Sequence, residues 1–228
     1  MASLRSVADS LSRKRARIRS RGLGEVMAES WGKVRSNIRS DDELIFLRAR
    51  TDRSLEETFR KTDEPMQLVR ATVDDRRDYE RFIGTDSART FAARLSDETR
   101  CWLVRARGAI LHATWTTTGS AWTSEIHRYF VPPPSSAYVY ESFTRAEARG
   151  LGLYPFALVG IRETLATEGV KEMFVGVEAN NAPSLRAIAK AGFERAFTVP
   201  FHRRWGRVSL DDPEGPNPEL AALCLRPS

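Results

Sequence analysis

The chain has 228 residues, of which 41% are hydrophobic and 29% are charged, a composition typical of a globular protein that buries a sizeable core. Its two cysteines, Cys101 and Cys224, provide neither a disulfide framework nor metal-ligand spacing, which indicates a reducing cytoplasm and no metal. No apolar run reaches membrane-spanning length and the N-terminus lacks the apolar core of a secretion signal, so we expect no membrane insertion.

The net charge of +6 is concentrated in the first 40 residues, which carry +7, so the other 188 residues together carry −1. Leu4, Val7 and Leu11 recur at helical spacing and predict a basic helical arm over residues 1 to about 37. The cluster from Arg13 to Arg19 either attracts the phosphate of a nucleic acid, a nucleotide or an anionic membrane, or is a solvated helix face. We favour the solvated face, because no aromatic residues for base stacking are interleaved. The use of arginine in preference to lysine is typical of a GC-rich bacterial genome.

Local patterns next predict a short strand at Glu43–Ala49, a charged linker that ends at Pro65, and then a folded domain. We therefore divide the chain into an arm with strand and linker (residues 1–64), a domain (65–210) and a proline-rich tail (211–228). The first half of the domain is expected to contain, in order, a strand at Gln67–Ala71, a helix from Asp74 or Asp75 through Phe82, a second helix capped by Asp86, and a hairpin of Trp102–Ala106 and Ala109–Thr117.

Residues 118–137 are longer than a turn between two strands requires, and they concentrate aromatic and polar side chains. Trp122, Glu125, His127, Arg128 and Tyr129 precede three consecutive prolines. Two interpretations are open: the segment lines an acceptor site, or it forms an edge hairpin or a contact with the other subunit of a homodimer.

The most informative stretch begins with a strand near residue 138. Val139, Glu141 and Phe143 alternate with Tyr140 and Ser142, and their β-branched and aromatic content favours a strand with two distinct faces. The pattern by itself does not determine which face Glu141 occupies.

A glycine-rich turn, Arg149-Gly150-Leu151-Gly152, leads into a predicted helix that contains Pro155 in its first turn and ends at Gly169. The first turn of a helix leaves N–H groups unpaired, and glycines let a ligand approach the backbone, so this turn predicts an anion site for phosphate or pyrophosphate. A plain turn followed by a helix cap also explains the glycines. Beyond the helix we expect strands at Lys171–Glu178, Arg195–Pro200 and Arg207–Leu210, a helix at Pro183–Ala191, and a tail anchored by Leu220, Leu223 and Leu225.

Two motifs in this stretch resemble those of the GNAT superfamily of acyl-CoA-dependent N-acyltransferases. Arg149 and Gly152 match the first two fixed positions of the family's Arg/Gln-x-x-Gly-x-Gly/Ala loop, and residues 181–184 with 190–193 resemble its Asn-x-x-Ser and Lys-x-Gly-Phe block. The resemblance implies an α/β (α+β) fold, a mixed and largely antiparallel twisted sheet flanked by helices, here with an N-terminal helical arm. Two positions depart from the pattern: Tyr154 replaces the last small residue of the loop, and Ile188 replaces the tyrosine that often serves as general acid.

The resemblance also implies a co-substrate, acetyl-CoA or another acyl-CoA, and the residues that would hold it. Main-chain N–H groups of the loop would bind its pyrophosphate, with the positive charge of Arg149 nearby. The pantetheine arm would pair with the strand before the loop, and an asparagine would contact or organise the thiol end. The residues so implied are Phe143, Thr144, Arg149, Gly150, Leu151, Gly152, Leu153, Tyr154 and Asn181.

Acyl transfer to an amine requires a base, and Glu141 is the candidate, acting directly or through water. His112 and His127 are alternatives for this role. Because Ile188 replaces the usual tyrosine, the leaving thiolate must take its proton from Tyr140, Tyr154, Ser184 or water, and of these Tyr140 is our choice.

Three functions are compatible with these features. The first is transfer of an acetyl or other acyl group from acyl-CoA to a primary amine of a small molecule, by direct attack in a ternary complex. The second, motivated by Tyr154 and the basic arm, is an aminoacyl transferase that uses charged tRNA as donor. The third is a non-catalytic acyl-CoA-binding module, motivated by the missing tyrosine. We favour the first, and the sequence does not identify its acceptor.

Overall fold

The computed structural model of the chain describes residues 39–52, 65–84 and 89–227. The predicted basic arm, most of the charged linker and the helix cap predicted at Asp86 lie outside the described residues. The described residues divide into two units, one of residues 39–41 and 202–209 and the other of the remaining described residues.

The described residues form strands and helices close to those predicted. The strands are β1 Arg39–Arg50, β2 Gln67–Arg70, β3 Thr99–Ala106, β4 Ala109–Thr117, β5 Ala121–Thr123, β6 Arg128–Phe130, β7 Ser136–Thr144, β8 Glu172–Glu178, β9 Glu194–Arg204, β10 Arg207–Leu210 and β11 Leu225–Arg226. The α-helices are α1 Arg76–Ile83, α2 Phe91–Arg94, α3 Leu153–Thr167, α4 Ala182–Lys190 and α5 Glu219–Cys224.

Eight of the strands form one sheet in the order β10-β9-β1-β8-β7-β4-β3-β2. The pairs β1–β8, β2–β3, β3–β4 and β4–β7 are antiparallel, whereas β7 and β8 are parallel. The prediction of a mixed, largely antiparallel sheet flanked by helices is therefore confirmed. Strand β1, which the sequence analysis placed in the N-terminal segment, pairs with β8, so the sheet extends to the N-terminal side of the boundary predicted at residue 65.

Apolar side chains cover both faces of this sheet. Trp102 and Val104 of β3 belong to one buried cluster, and Cys101 and Leu103 to another. Because successive side chains of a strand point to opposite faces, the two clusters lie on opposite faces of the sheet. Helices α3 and α4 contribute to the first cluster and helices α1 and α2 to the second.

Helix α3 packs on the sheet through a stripe of small and branched residues. Ala157, Leu158, Ile161 and Leu165 recur at intervals of one turn and are buried. Gly169, with φ of 84°, follows the end of the helix in the left-handed conformation that favours glycine. The chain then enters β8, whose central residues are buried, as expected for a strand covered on both faces.

The segment of residues 118–137 forms the hairpin β5–β6, and the C-terminal strand β11 pairs with β6 in a second, three-stranded sheet. This supports the edge-hairpin interpretation of the segment. Of the three predicted anchors of the tail, Leu220 and Leu225 are half-buried and Leu225 pairs with Phe130, whereas Leu223 is 59% exposed. Ala221 and Cys224 are buried. The short helix α5 directs Leu223 to solvent and directs Ala221 and Cys224 to the interior.

The smaller unit is described at residues 39–41 and 202–209. Asp41 Oδ1 lies 2.7 Å from His202 Nδ1 and accepts a hydrogen bond of 2.6 Å from Arg204 Nη2. These two contacts hold the pKa of the Asp41 carboxyl below its usual range. Trp205 and Gly206, both with positive φ, form the turn between β9 and β10.

Candidate functional site

Strands β7 and β8 pair in parallel over four residues of each strand and then diverge. The pairing runs from Ser136 opposite Glu172 to Val139 opposite Val175, and it includes no later residue of either strand. Both strands continue, β7 to Thr144 and β8 to Glu178. A gap therefore opens between them in the middle of the sheet, as the family resemblance implies.

A β-bulge in β7 lies at the point of divergence. The register of β7 with β4 shifts between Ala113 and Trp115, and Glu141 adopts a positive φ of 47°. Such a bulge inserts an extra residue and bends the strand. It also breaks the predicted alternation: Val139 packs on the α3 face, whereas both Tyr140 and Phe143 pack on the face of α1 and α2. The bulge therefore interrupts the simple alternation of side chains along β7.

A cavity of about 670 Å³ occupies the gap. It has the size of a small-molecule site. Its wall is made of the diverging ends of β7 and β8, the loop before α3, the first turns of α3, and α4. Ten of the eleven predicted site residues contribute to it: Tyr140, Glu141, Phe143, Thr144, Arg149, Gly150, Gly152, Leu153, Tyr154 and Asn181. The eleventh, Leu151, does not line the cavity, and its side chain is 48% exposed.

One end of the cavity is formed by the loop of residues 150–154, all of which except Leu151 line it, and we call this the amide end after the main-chain N–H groups there. None of these amides donates a hydrogen bond within the described part of the chain. The first helical bond runs from Phe156 N to Gly152 O at 3.1 Å, so Pro155 takes a position where no N–H is needed. The amide end therefore presents unpaired donors together with the positive end of the α3 dipole.

Open space adjoins the α carbons of the two loop glycines. Gly150 and Gly152 have φ of 85° and 77°, and a Cβ added at either would meet no other atom within 4 Å. The positive φ, and not crowding by the protein, therefore explains why glycine occupies both positions. Arg149 of the loop, and Arg186 and Lys190 of α4, add positive charge to the cavity wall.

Tyr154, at the position where the resembled family has a small residue, points toward the sheet. Its ring lies 5.3 Å from the ring of His112. Burial raises the pKa of Tyr154 to about 12. The tyrosine thus packs against β4 of the sheet and also lines the cavity.

Glu141 defines the other end of the cavity, which we call the carboxylate end. Its Oε2 accepts a hydrogen bond of 2.7 Å from Arg94 Nη1. The Arg94 guanidinium lies 3.9 Å above the ring of Trp115 and 5.4 Å from that of Tyr140. Burial raises the pKa of Tyr140, although Arg94 acts in the opposite direction. Sequence reasoning missed Arg94, since nothing marks an arginine in a short amphipathic helix as a partner of a distant strand.

Two further carboxylates, Glu125 from the β5–β6 turn and Glu178 at the end of β8, line the same cavity. His127, an alternative base in the sequence analysis, does not line it. His112 does, but burial lowers its pKa to about 3, so the ring stays neutral and is a weak base at neutral pH. Within the described ranges no cluster of three or more His, Cys, Asp or Glu residues is arranged to hold a metal ion.

Asn181 and Ile188 lie on α4, which follows β8. The Asn181 side chain caps the helix, because its Oδ1 accepts a hydrogen bond of 3.3 Å from Ser184 N, and the residue also faces the cavity. Ile188 is buried in the core at the cavity wall. Asn181 thus caps the helix, and this role is compatible with contact to a ligand.

No model of a known protein family matches the chain, and no curated protein sequence matches it. Solved structures do resemble it. A GCN5-related N-acetyltransferase from Sphaerobacter thermophilus superposes with a TM-score of 0.52 over 80% of this chain and 56% of that protein, at 11% identity. A Drosophila protein solved by structural genomics gives a TM-score of 0.50 over 81% of this chain and 59% of its own, at 10% identity.

The chain spans little more than half the length of the acetyltransferase it resembles. At this level of identity the likeness concerns the fold alone. Among the described residues, no helix has the length and apolar character needed to cross a membrane.

Proposed function

From the fold of the GCN5-related N-acetyltransferases, which this chain has, we propose that the protein transfers an acetyl or other acyl group from acyl-CoA to a primary amine of a small molecule. One observation carries the proposal: a single cavity joins unpaired main-chain amides at one end to Glu141 at the other. The gap between β7 and β8 thus connects the amides that would bind the donor to the carboxylate that would act as base.

At the amide end, the N–H groups of residues 150–154 and the α3 dipole suit the diphosphate of coenzyme A. Arg149 adds a positive charge at the same place. The pantetheine arm then follows the gap, where Phe143 and Thr144 line the cavity. Asn181, at the start of α4, contacts the arm near its sulfur.

At the carboxylate end, the amine nitrogen attacks the thioester carbonyl carbon, the carbon–sulfur bond breaks, and the sulfur leaves as a thiolate. Glu141 takes the proton of the amine, directly or through water, with Oε1 while Oε2 stays bonded to Arg94. The raised pKa of Tyr140 keeps its hydroxyl protonated at neutral pH, so it is able to return a proton to the thiolate.

Direct attack in a ternary complex is favoured over an acyl-enzyme intermediate. Cys101 and Cys224 are both buried, and neither lines the cavity. Burial raises the pKa of each thiol, which makes the nucleophilic thiolate scarce at neutral pH. The amine therefore has no cysteine thioester on the enzyme to react with.

The lining of the cavity also supports an amine as the acceptor. Glu125, Glu141 and Glu178 place three carboxylates on its wall. Carboxylates attract an ammonium ion from solution, and Glu141 is then positioned to deprotonate it.

The test is calorimetric titration of acetyl-CoA into the wild type and into Gly152→Trp. A tryptophan at this position puts a large side chain into the open space beside the α carbon of residue 152, on the wall of the cavity. Hydrogen bonds to a charged group are worth about 1.5–3 kcal/mol each, so losing two of them weakens binding by about a hundredfold or more. Gly108→Trp is the matched control, because Gly108 has nearly the same φ of 76° and equally open surroundings but does not line the cavity.

Unchanged binding to Gly152→Trp would contradict the assignment of the amide end. A screen of amine acceptors for thiol release then identifies the reaction. Activity that is lost on ribonuclease treatment would instead indicate a tRNA-dependent aminoacyl transferase. Binding of acetyl-CoA without thiol release to any amine would favour a non-catalytic binding module.

A further inference from the structure

His112 is a buried polar residue on the wall of the cavity, and one of its two ring nitrogens lacks a hydrogen-bond partner within the described part of the chain. Its side chain belongs to β4, and the residue is 1% exposed. Nδ1 lies 2.8 Å from Thr144 Oγ1, the residue opposite it in β7. Nε2 has no hydrogen-bond partner within the described part of the chain. Burying a polar atom without a partner destabilises a protein, so such atoms call for an explanation.

The neighbouring polar groups on the same face of the sheet are satisfied. Thr114 Oγ1 and Ser142 Oγ hydrogen-bond each other at 2.5 Å. Further along, Trp102 Nε1 donates to Thr116 Oγ1 at 2.8 Å. The unpartnered nitrogen of His112 is therefore an exception in an otherwise paired row, and it occurs where the row meets the cavity.

The position of His112 indicates which part of a ligand would reach it. Thr144, the partner of His112, is the last residue of β7. The imidazole ring of His112 packs against Tyr154 in the first turn of α3. His112 thus lies between the path along β7 and the amide end. A donor that places its diphosphate on the amides brings the adjoining part of its arm, which carries a hydroxyl and an amide, next to this ring.

We propose that Nε2 of His112 hydrogen-bonds the hydroxyl- and amide-bearing part of the pantetheine arm beside the diphosphate, and so fixes how far the acyl group extends toward Glu141. This inference rests on the proposed function, because it requires coenzyme A in the cavity. The neutral imidazole offers either a lone pair or an N–H at Nε2, according to which atom of the Nδ1–Thr144 pair donates, and hydroxyl and amide groups accommodate both cases.

Two substitutions separate the two ring nitrogens. In His112→Asn the side-chain amide takes the place of Nδ1 and retains the bond to Thr144, but nothing reaches the position of Nε2. In His112→Gln the amide reaches the position of Nε2. Thr116→Val is the matched control for loss of a buried polar group on the same face, since Thr116 does not line the cavity.

The experiment measures dissociation constants by calorimetry for coenzyme A and for its phosphoadenosine diphosphate portion without the arm. We expect His112→Asn to bind coenzyme A about three- to tenfold more weakly, the effect of one neutral hydrogen bond. We expect His112→Gln and Thr116→Val to bind it within about twofold of the wild type. All variants should bind the portion without the arm like the wild type.

Comparing the two ligands removes any general loss of folding, because such a loss weakens both. Equal weakening of both ligands in His112→Asn would overturn the inference and assign His112 a structural role. Equal affinity of His112→Asn and wild type for coenzyme A would overturn it as well, while leaving the proposed function standing. If the wild type itself does not bind coenzyme A, the proposed function fails, and this inference fails with it.

Discussion

The two ends of the cavity are built from different kinds of groups. At the amide end the ligand meets main-chain N–H groups that are fixed by the turn and by the start of α3. At the carboxylate end it meets side chains, Glu141 and Tyr140, that are held by Arg94 from a separate helix. Binding at the first end therefore depends on backbone conformation, whereas chemistry at the second depends on residue identity.

This difference implies that the two ends respond to substitution in separable ways. A side-chain change at the carboxylate end should reduce turnover and leave donor binding intact. A change at the amide end should weaken donor binding through space or charge, because its main donors belong to the backbone and persist whatever the side chain is. The three substitutions below test that separation.

The largest effect is expected for Glu141→Gln, which removes the base but keeps the shape of the side chain. General-base catalysis contributes about a hundredfold or more, so kcat should fall by that factor. The Kd for acetyl-CoA, measured by calorimetry, should stay within about twofold of the wild type. Glu178→Gln is the control for loss of a cavity carboxylate alone, and it should raise KM for the amine with little change in kcat. A kcat within threefold of the wild type in Glu141→Gln would remove Glu141 from the mechanism.

An intermediate effect is expected for Arg94→Met, which removes the charge that links Glu141 to Tyr140 but keeps an apolar stem against Trp115. A hydrogen bond to a charged group is worth about 1.5–3 kcal/mol, so kcat should fall by roughly tenfold or more. Donor affinity should not change. If Arg94→Met instead weakened acetyl-CoA binding at unchanged kcat, the two ends would not be separable.

The smallest effect is expected for Arg149→Gln at the amide end. Arg149 is exposed, and exposed charge contacts contribute up to about 1 kcal/mol, so the Kd for acetyl-CoA should rise about three- to fivefold. The effect should diminish as salt is added, because screening weakens exposed charge interactions. Arg107→Gln, in the turn between β3 and β4 and outside the cavity, is the control and should bind like the wild type. A fall in kcat at saturating acetyl-CoA would contradict the assignment of Arg149 to binding alone.

The amide end was predictable from sequence because its signals are local. Gly150 and Gly152 take the positive φ that glycine permits, and Pro155 takes a position that needs no N–H, so three nearby residues specify the turn. The hairpin of β3 and β4 and the helix α4 are likewise specified by local sequence. The cap of α4 is Asn181, a residue type that is preferred at the start of helices.

The carboxylate end was predictable only in part. Glu141 was identified as a candidate, but its orientation depends on the bulge, and the bulge depends on how β7 pairs with β4, which is distant in sequence. Arg94 was not found, since its contact with Glu141 requires α2 to pack beside β7. The place of β1 beside β8 is another long-range pairing that no local pattern contains.

The divergence of β7 and β8 has a consequence for the molecule without its co-substrate. Beyond Val139 and Val175, each strand keeps one edge of its backbone that no strand pairs with in the described part of the chain. Amide protons on these edges exchange with deuterium from the solvent. A pantetheine arm that hydrogen-bonds to the same edges would slow this exchange. Hydrogen–deuterium exchange therefore reports, residue by residue, whether the gap is occupied, without a chemical label on the protein or on the co-substrate.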